Sequence, residues 1–298
     1  MLQAKMKSKE VRERLSPVTI FMLVVLILFT LSLFIPLLWA LLTSFKNQSD
    51  FRINIIGLPK QWVWNFSYVL KKFTVPVQTE TGEKMVGMGM MYVNSLLYSV
   101  GCAFFGTLIP CITAYMCARF PYKFSKIVHT TVIVVMIIPI VGALPSEIRM
   151  AMTLKLYDHV WGLWIMKANF LGLYFLVFYG VFKALPMAYT EAAKIDGAGN
   201  LGVLIRIVLP LVRNTFFTVM LINFITFWND YQTPLIFMPS HPTVALGMFH
   251  MASTTISTLA TIPMRMTGAM LLLVPILIVF LLTHKRLMGN LTMGGIKG

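Results

Sequence analysis

Of the 298 residues, 58% are hydrophobic and 12% are charged, and the 25 Lys and Arg residues far outnumber the 10 Asp and Glu residues. Soluble domains average about 45–50% apolar and about 25% charged residues, so this composition excludes a cytosolic enzyme and a disordered tail protein. It also leaves few polar faces on which a nucleic acid would bind. The chain is therefore predicted to be an all-α integral membrane protein.

Motifs for catalysis or metal binding are absent from the sequence. Cys102, Cys111 and Cys117 lie in one apolar stretch without CxxC spacing, and they are expected to be buried free thiols. The chain has no HExxH zinc motif, no GxxxxGK[ST] phosphate loop and no GxSxG elbow. We therefore expect neither an enzyme nor a metal site, and no ATP bound by this chain itself.

Six apolar stretches are long enough to cross a bilayer, which takes about 20 helical residues. They cover residues 18–42, 90–118, 127–147, 160–182, 214–238 and 264–283. The fourth stretch is interrupted by Lys167, Asn169 and Gly172, so its start is alternatively placed after Lys167. The sequence predicts three regions, namely a basic tail 1–17, a transmembrane domain 18–283 and a tail 284–298.

The charges of the connecting segments orient the six predicted spans. With the N-terminus inside, the inside segments carry a net charge of +11 out of the total of +15. The outer segment 43–89 carries six basic and three acidic residues. Because Lys and Arg accumulate in cytoplasmic segments, both termini are predicted to be cytoplasmic. The inside segments are 1–17, 119–126, 183–213 and 284–298.

The inside segment 183–213 is amphipathic and too polar to cross a bilayer. A helix from Met187 to Asp196 is predicted to stop at Gly197, and Asn200 is placed to cap a second helix. Pro210 is predicted to kink or end that second helix before the fifth span. Its predicted apolar stripe comprises Leu201, Leu204, Ile205, Val208 and Leu209. A surface helix in the lipid headgroups is the alternative, but it does not explain the double-glycine turn.

The residues of this segment resemble, at the same spacing, the EAA signature of ABC importer permeases. The matching residues are Glu191, Ala192, Ala193, Asp196, Gly197, Ile207, Leu209 and Pro210. The resemblance implies a coupling helix that inserts into a cleft of a separate ATPase subunit. Glu191 then presents a charge to that subunit, while Ala192 and Ala193 allow a close approach. Asn214, where sugar-type members often carry proline, departs from the pattern.

Further motifs resemble carbohydrate importer permeases over residues 16–298. The tail 289–298 contains four glycines and is similar to that of the smaller, G-type permease of maltose-type importers. The resemblance implies a type I ABC importer fold with six transmembrane helices in the bacterial plasma membrane. It also implies four partners: a second, F-type permease, a cytoplasmic ATPase dimer that holds ATP and Mg²⁺, an extracytoplasmic solute-binding protein and a carbohydrate substrate. No nucleic acid is expected.

Polar residues inside the predicted spans are candidates for the substrate path. An ionised group at the bilayer centre costs about 2.5–3.5 kcal/mol on insertion scales, so Asp230 is a functional candidate. Asn223, Trp228, Asn229 and Asp230 together offer amide and carboxylate acceptors and an aromatic face for a sugar. The alternative is a structural ion pair between Lys167 and Asp230.

Two other functions remain open at this stage. An ABC permease for a non-sugar solute would carry the same EAA segment. An ion-coupled secondary transporter needs a titratable relay within its spans, for which Asp230 is the one plausible carboxylate well inside a span. A membrane-embedded enzyme fits less well, because paired carboxylates are missing.

Overall fold

The chain is mostly helical in a computed structural model, as its apolar composition predicts. Residues are described over 16–79, 82–120, 122–138, 141–253 and 258–288. Within this part, four helices are long and apolar enough to cross a membrane. The two shorter helices Leu173–Ala184 and Ala188–Ile195, which are bent by 70° relative to each other, form a fifth candidate. The expected roles of the tails at 1–15 and 289–298 lie outside the described residues.

Helix α1 (Pro17–Ser44) stands apart from the rest of the chain over most of its length. It begins with Pro17 in its first turn, and the Ser16 hydroxyl accepts a hydrogen bond from the Thr19 amide at 3.3 Å, which is a standard N-terminal cap. Its buried residues all lie in the last turns, where α1 packs against the final helix, α14 (Ile262–Met288). The long exposed apolar surface of α1 is suited to lipid or to another membrane helix.

Segment 43–89, which is predicted to lie outside, contains a β-hairpin, so the all-α prediction is wrong at this place. Two short helices, α2 (Gln48–Ile53) and α3 (Asn65–Lys72), are followed by the antiparallel strands β1 (Thr74–Thr79) and β2 (Gly82–Gly87). Val75, Val77 and Val86 are buried together, because β-branched side chains at alternate positions share one face of a strand.

Helix α4 (Met88–Arg119) is the central helix of the molecule, and it matches the second predicted span within two residues. It packs against three later helices, Val160–Lys167, Leu173–Ala184 and Leu209–Asn229. Gly101 permits a close approach, because the Trp164 indole ring occupies the space that a Cβ at Gly101 would need. The indole Nε1 donates a hydrogen bond to the Leu97 carbonyl at 2.9 Å. This glycine is therefore a point of close helix contact.

The third and fourth predicted spans are each divided into two helices, so neither is one continuous helix. Residues 127–147 fall on α5 (Lys123–Ile137) and α6 (Leu144–Thr153). Ile138, which precedes a proline, is extended, because a following proline disfavours the helical conformation. Residues 160–182 fall on α7 (Val160–Lys167) and α8 (Leu173–Ala184). The break at 168–172 coincides with the polar residues noted in the sequence.

Pro210 does not end the second helix of segment 183–213, so of the two predicted effects, a kink or an end, the end is wrong. A helix α9 (Ala188–Ile195) is followed by α10 (Asn200–Val203), a π turn (Leu204–Val208) and α11 (Leu209–Asn229), which together form one 30-residue helix. A proline clashes with the carbonyl four residues earlier, and the wider π turn just before Pro210 relieves that conflict. The fifth span therefore continues directly from the loop helix.

The remaining helices, α12 (Gln232–Phe237) and α13 (Val244–Ser253), lie between α11 and α14. One hydrophobic core joins the ends of α4 and α8 to α9, the π turn and α11. A second core joins α3, the hairpin, α13 and α14, and a third joins α4, α6, α7 and α12. The EAA segment is thus packed onto the membrane helices and is not a separate appendage.

Candidate functional site

The turn after α9 is a Schellman motif built on Gly197. Gly197 has φ +82°, its amide donates to the Lys194 carbonyl at 3.1 Å, and the Ala198 amide donates to the Ala193 carbonyl at 2.9 Å. This pair of hydrogen bonds satisfies the last carbonyls of the helix, and the left-handed position favours glycine. The predicted helix stop at Gly197 is confirmed. The chain then leaves the turn with a fixed direction into α10.

Helix α9 presents one exposed face and one buried face. The exposed face is centred on Ala188, Glu191, Ala192 and Ile195, which follow the i, i+3, i+4, i+7 spacing of one helix side, and Tyr189 and Lys194 are exposed beside it. Ala193 is only 5% exposed and packs inside the chain's own core, so the expectation that it allows approach by a partner is wrong. Ile195 is 86% exposed, and its place at the i+7 position of this face is a signal that the sequence reading missed.

The helix after the turn differs from prediction in its N-terminal cap and in which of its apolar residues are buried. Gly199 precedes α10 without a side-chain cap hydrogen bond, so Asn200 does not act as the cap. Of the predicted apolar stripe, Leu204 and Val208 are buried, Leu209 is partly buried, and Leu201 and Ile205 are exposed, because the π turn rotates the inward face. Val203 and Val212 complete the buried side.

The EAA residues are therefore divided between two roles in this geometry. Glu191, Ala192, Asp196, Gly197 and Pro210 are exposed, whereas Ala193 is buried and Ile207 and Leu209 pack partly against the core. The exposed residues are free to meet a partner, and the packed residues hold the loop against the membrane helices.

Arg119, at the end of α4, ties this loop to the central helix. Its guanidinium donates to the Leu185 carbonyl at 2.9 Å and also contacts the Met187 sulfur. The Lys194 ammonium lies 5.9 Å from the centroid of the Phe120 ring, within the range of a cation–π contact. Arg119 is 8% exposed, so its hydrogen bond is shielded from competing water.

Two of the predicted path residues, Asn223 and Trp228, are buried on different sides of α11. The Asn223 amide donates to the Thr107 hydroxyl of α4 at 3.0 Å and borders a small cavity. The Trp228 indole donates to the Leu272 carbonyl of α14 at 3.1 Å and is 2% exposed. The position of Trp228 favours a packing role over contact with a substrate.

Asn229 and Asp230 lie where α11 ends. Asn229 is exposed, while one Asp230 carboxylate oxygen accepts from the Tyr98 hydroxyl at 2.9 Å and the other accepts from the Thr233 amide at 3.1 Å. Across the part of the chain that is described, Lys167 and Asp230 form no ion pair. The structural alternative of a Lys167–Asp230 pair is therefore wrong, and Asp230 instead joins α4 to the start of α12.

Comparison with known proteins identifies the class. The family described as the inner membrane component of binding-protein-dependent transport systems matches residues 106–291, which is more than half of the chain. The chain belongs to this family. It is a permease subunit rather than an enzyme, it is a multi-pass protein of the bacterial inner membrane, and membership implies an ATPase and a solute-binding protein as partners.

Individual relatives cover nearly the whole chain. The melibiose/raffinose/stachyose import permease protein MelC of Bacillus subtilis is 26% identical over 89% of this chain and 92% of its own length. The maltodextrin transport system permease protein MalD of Streptococcus pneumoniae is 28% identical over 88% and 90%. A solved bacterial ABC transporter involved in the import of the acidic polysaccharide alginate has a chain with a TM-score of 0.73 at 18% identity, covering 89% of this chain and 95% of that one. That structural likeness shows the fold.

Proposed function

We propose that this chain is the permease subunit through which an ATP-driven importer moves a carbohydrate across the membrane. Family membership supplies the transport role, and the sugar-transporting names of the relatives support the substrate class. A second permease of the F type is proposed as its membrane partner. The single observation that carries the coupling mechanism is the exposed face of α9, held rigidly against the membrane helices.

The proposed topology has six crossings with both termini in the cytoplasm. The crossings are α1, α4, α5, the two short helices α7 and α8 taken together, the long helix ending at Asn229, and α14. Helix α5 has 15 residues and extends about 22 Å at 1.5 Å per residue, so residues after Ile137 must complete its crossing. The net charge of +11 in the inside segments supports this orientation.

The proposed coupling runs from an ATPase subunit to the exposed face of α9. ATP and Mg²⁺ are held by the ATPase, and closure of the ATPase dimer moves the docked loop. Glu191 and Asp196 offer carboxylates to basic groups of the ATPase, and Ile195 offers an apolar anchor. Because the loop shares one core with α4, α8 and α11, its displacement moves these helices with it and switches access across the membrane.

The proposed substrate path includes Asn223, Asn229 and Asp230. Asn223 borders a cavity, Asn229 is exposed, and Asp230 keeps part of its surface accessible. These groups supply the acceptors and donors that sugar hydroxyls need.

The test uses the complete complex reconstituted in proteoliposomes with Glu191→Lys. Charge reversal on the exposed face is expected to reduce both ATPase association and oligosaccharide uptake, while membrane insertion is unchanged. Glu83→Lys, an equally exposed reversal on β2, is the matched control and is expected to leave both unchanged. Normal ATPase association and uptake in the Glu191 variant would refute the docking role.

A second measurement separates this proposal from an ion-coupled transporter. Uptake is expected to continue when the proton and sodium gradients are collapsed and ATP is held constant. Loss of uptake under that condition would overturn the ATP-driven mechanism.

A further inference from the structure

A polar cavity lies at the break between α7 and α8. It has a volume of about 160 Å³ and lies between α4, α8 and α11. A Cβ added at Gly106 of α4 would lie 3.5 Å from the Lys167 carbonyl oxygen and 3.8 Å from Asn223 Nδ2, so the three elements converge closely here. The polar side chains that border the cavity are Lys167, Asn169, Tyr174 and Asn223.

In the proposed topology, the break between α7 and α8 places non-helical backbone within the fourth crossing. Helix α8 starts after Gly172 without a side-chain cap hydrogen bond, so none of the described side chains satisfies its first-turn amides. Non-helical backbone inside a membrane is tolerated only where it is buried in protein or lines a water-filled cavity. The cavity is therefore expected to hold water, and hydroxyl groups of a ligand can replace that water.

Lys167 is the most unusual group of this site. Within the described chain its ammonium forms no hydrogen bond or ion pair, and no carboxylate lines the cavity. Asp230, the acid that the sequence suggested as its partner, is occupied by Tyr98 and Thr233. In the proposed topology Lys167 lies in the fourth crossing, and a cation there without a partner among the described residues indicates an acceptor that arrives from elsewhere.

The size and the walls of the cavity define the acceptor. The volume far exceeds the roughly 10–15 Å³ needed by one water molecule, but it lies below the roughly 300–1,000 Å³ of pockets for drug-sized ligands. Phe170 and Phe227 provide apolar ring surface beside the polar groups. An aromatic face next to amide and ammonium donors suits one sugar ring.

We propose that this cavity is a subsite of the substrate path that binds one sugar ring of the transported carbohydrate. Lys167 donates to an oxygen acceptor on the ring, and Asn169 and Asn223 hydrogen-bond to its hydroxyls. The inference rests on the proposed function, and it assigns part of the substrate recognition to this permease.

The first test measures uptake by the complete complex in proteoliposomes with Lys167→Met and Asn169→Ala. Uptake by Lys167→Met is expected to fall by about tenfold or more, the effect of losing one charge-assisted hydrogen bond. ATPase association and the basal ATP hydrolysis rate are expected to be unchanged. Lys84→Met, at an exposed lysine of β2, is the matched control.

A neutral trisaccharide and a uronic-acid trisaccharide are the two probes. A loss for both probes identifies a hydroxyl as the acceptor, and a loss confined to the acidic probe identifies a carboxylate. Unchanged uptake of both probes in the two cavity variants would overturn the subsite. Dissociation of the second permease in Lys167→Met would also overturn it, because Lys167 would then pair with a carboxylate of that subunit.

The second test is labelling of Asn169→Cys with a water-soluble thiol reagent. Cys102, Cys111 and Cys117 are buried free thiols, so the new cysteine is expected to be the reactive one among the described residues. Labelling is expected, and a transported sugar is expected to slow it, whereas a non-transported sugar has no effect. Absence of protection would refute sugar binding at the break. Failure of the wild-type complex to transport any sugar would instead refute the proposed function.

Discussion

Gly197 allows the coupling loop to be perturbed without any steric clash. It has φ +82°, and a Cβ added there would meet nothing within 4 Å. Gly197→Ala therefore adds backbone strain alone, which for an L-residue in the left-handed region is about 1–2 kcal/mol. That free energy lowers the equilibrium ratio of the observed turn to its alternative conformations by about 5–30-fold. Where only this turn docks and the alternatives become populated, the apparent dissociation constant of the ATPase rises by up to the same factor.

The assay is a titration of the purified ATPase against the reconstituted permease pair. Gly142→Ala is the matched control, because Gly142 has φ +78°, has no atom within 4 Å of an added Cβ, and lies between α5 and α6. Gly197→Asn is expected to bind more tightly than Gly197→Ala, since Asn tolerates the left-handed region better. Gly197→Pro is expected to abolish docking, because proline fixes φ near −65°.

Two outcomes would refute this reasoning. Wild-type affinity in Gly197→Ala would mean that the observed turn is not the docked conformation. An equal loss of affinity in Gly142→Ala would mean that the strain acts on the whole molecule and not on the loop.

Four further predictions concern the loop and the central helix. Ile195→Glu is expected to weaken ATPase association in the same titration, whereas Ile195→Leu keeps it. Gly101→Ala is expected to overpack against the Trp164 indole, to destabilise the fold by about 1–3 kcal/mol and to lower the thermal midpoint of the complex. Gly180→Ala is the control and is expected to leave the midpoint unchanged, because a Cβ there would meet nothing within 4 Å. Asp230→Asn replaces one acceptor oxygen by a donor, and is expected to lower that midpoint through a weakened hydrogen bond to α4; unchanged midpoint and uptake together would remove Asp230 from the mechanism. Arg119→Ala is expected to lower uptake per ATP hydrolysed, with partial rescue by Arg119→Lys.

The long helices were predictable because apolar composition alone defines them. Helices α1 and α4 begin and end within two residues of the predicted stretches 18–42 and 90–118. The stop at Gly197 was also predictable, since glycine after a helical run is a local signal that depends on no distant contact.

The inward and outward faces of the loop helices depend on tertiary packing, and the sequence did not specify them. The wide turn that accommodates Pro210 changes which side of the helix faces inward, so Ile205 is exposed where an ideal helical stripe buries it. Ala193 matches the family pattern whether it faces a partner or the chain's own core. Lys167 was predicted to lie inside the fourth span, but its lack of a partner among the described residues follows from the bonds of Asp230 to Tyr98 and Thr233, which the sequence does not indicate.

The coupling loop and the polar cavity are connected by the same helices. Helix α4 carries Arg119 at the loop and Gly106 at the cavity, 13 residues or about 20 Å apart along one continuous helix. Helix α11 continues from the loop and carries Asn223 to the opposite wall. Residues 168–172 interrupt the third wall, so α7, which packs on α4 through Trp164 and Gly101, is not joined to α8 by continuous helix. A displacement at α9 that shifts α8 therefore changes the spacing between Lys167 and Tyr174 across the cavity, which is the change that a subsite needs to release its sugar.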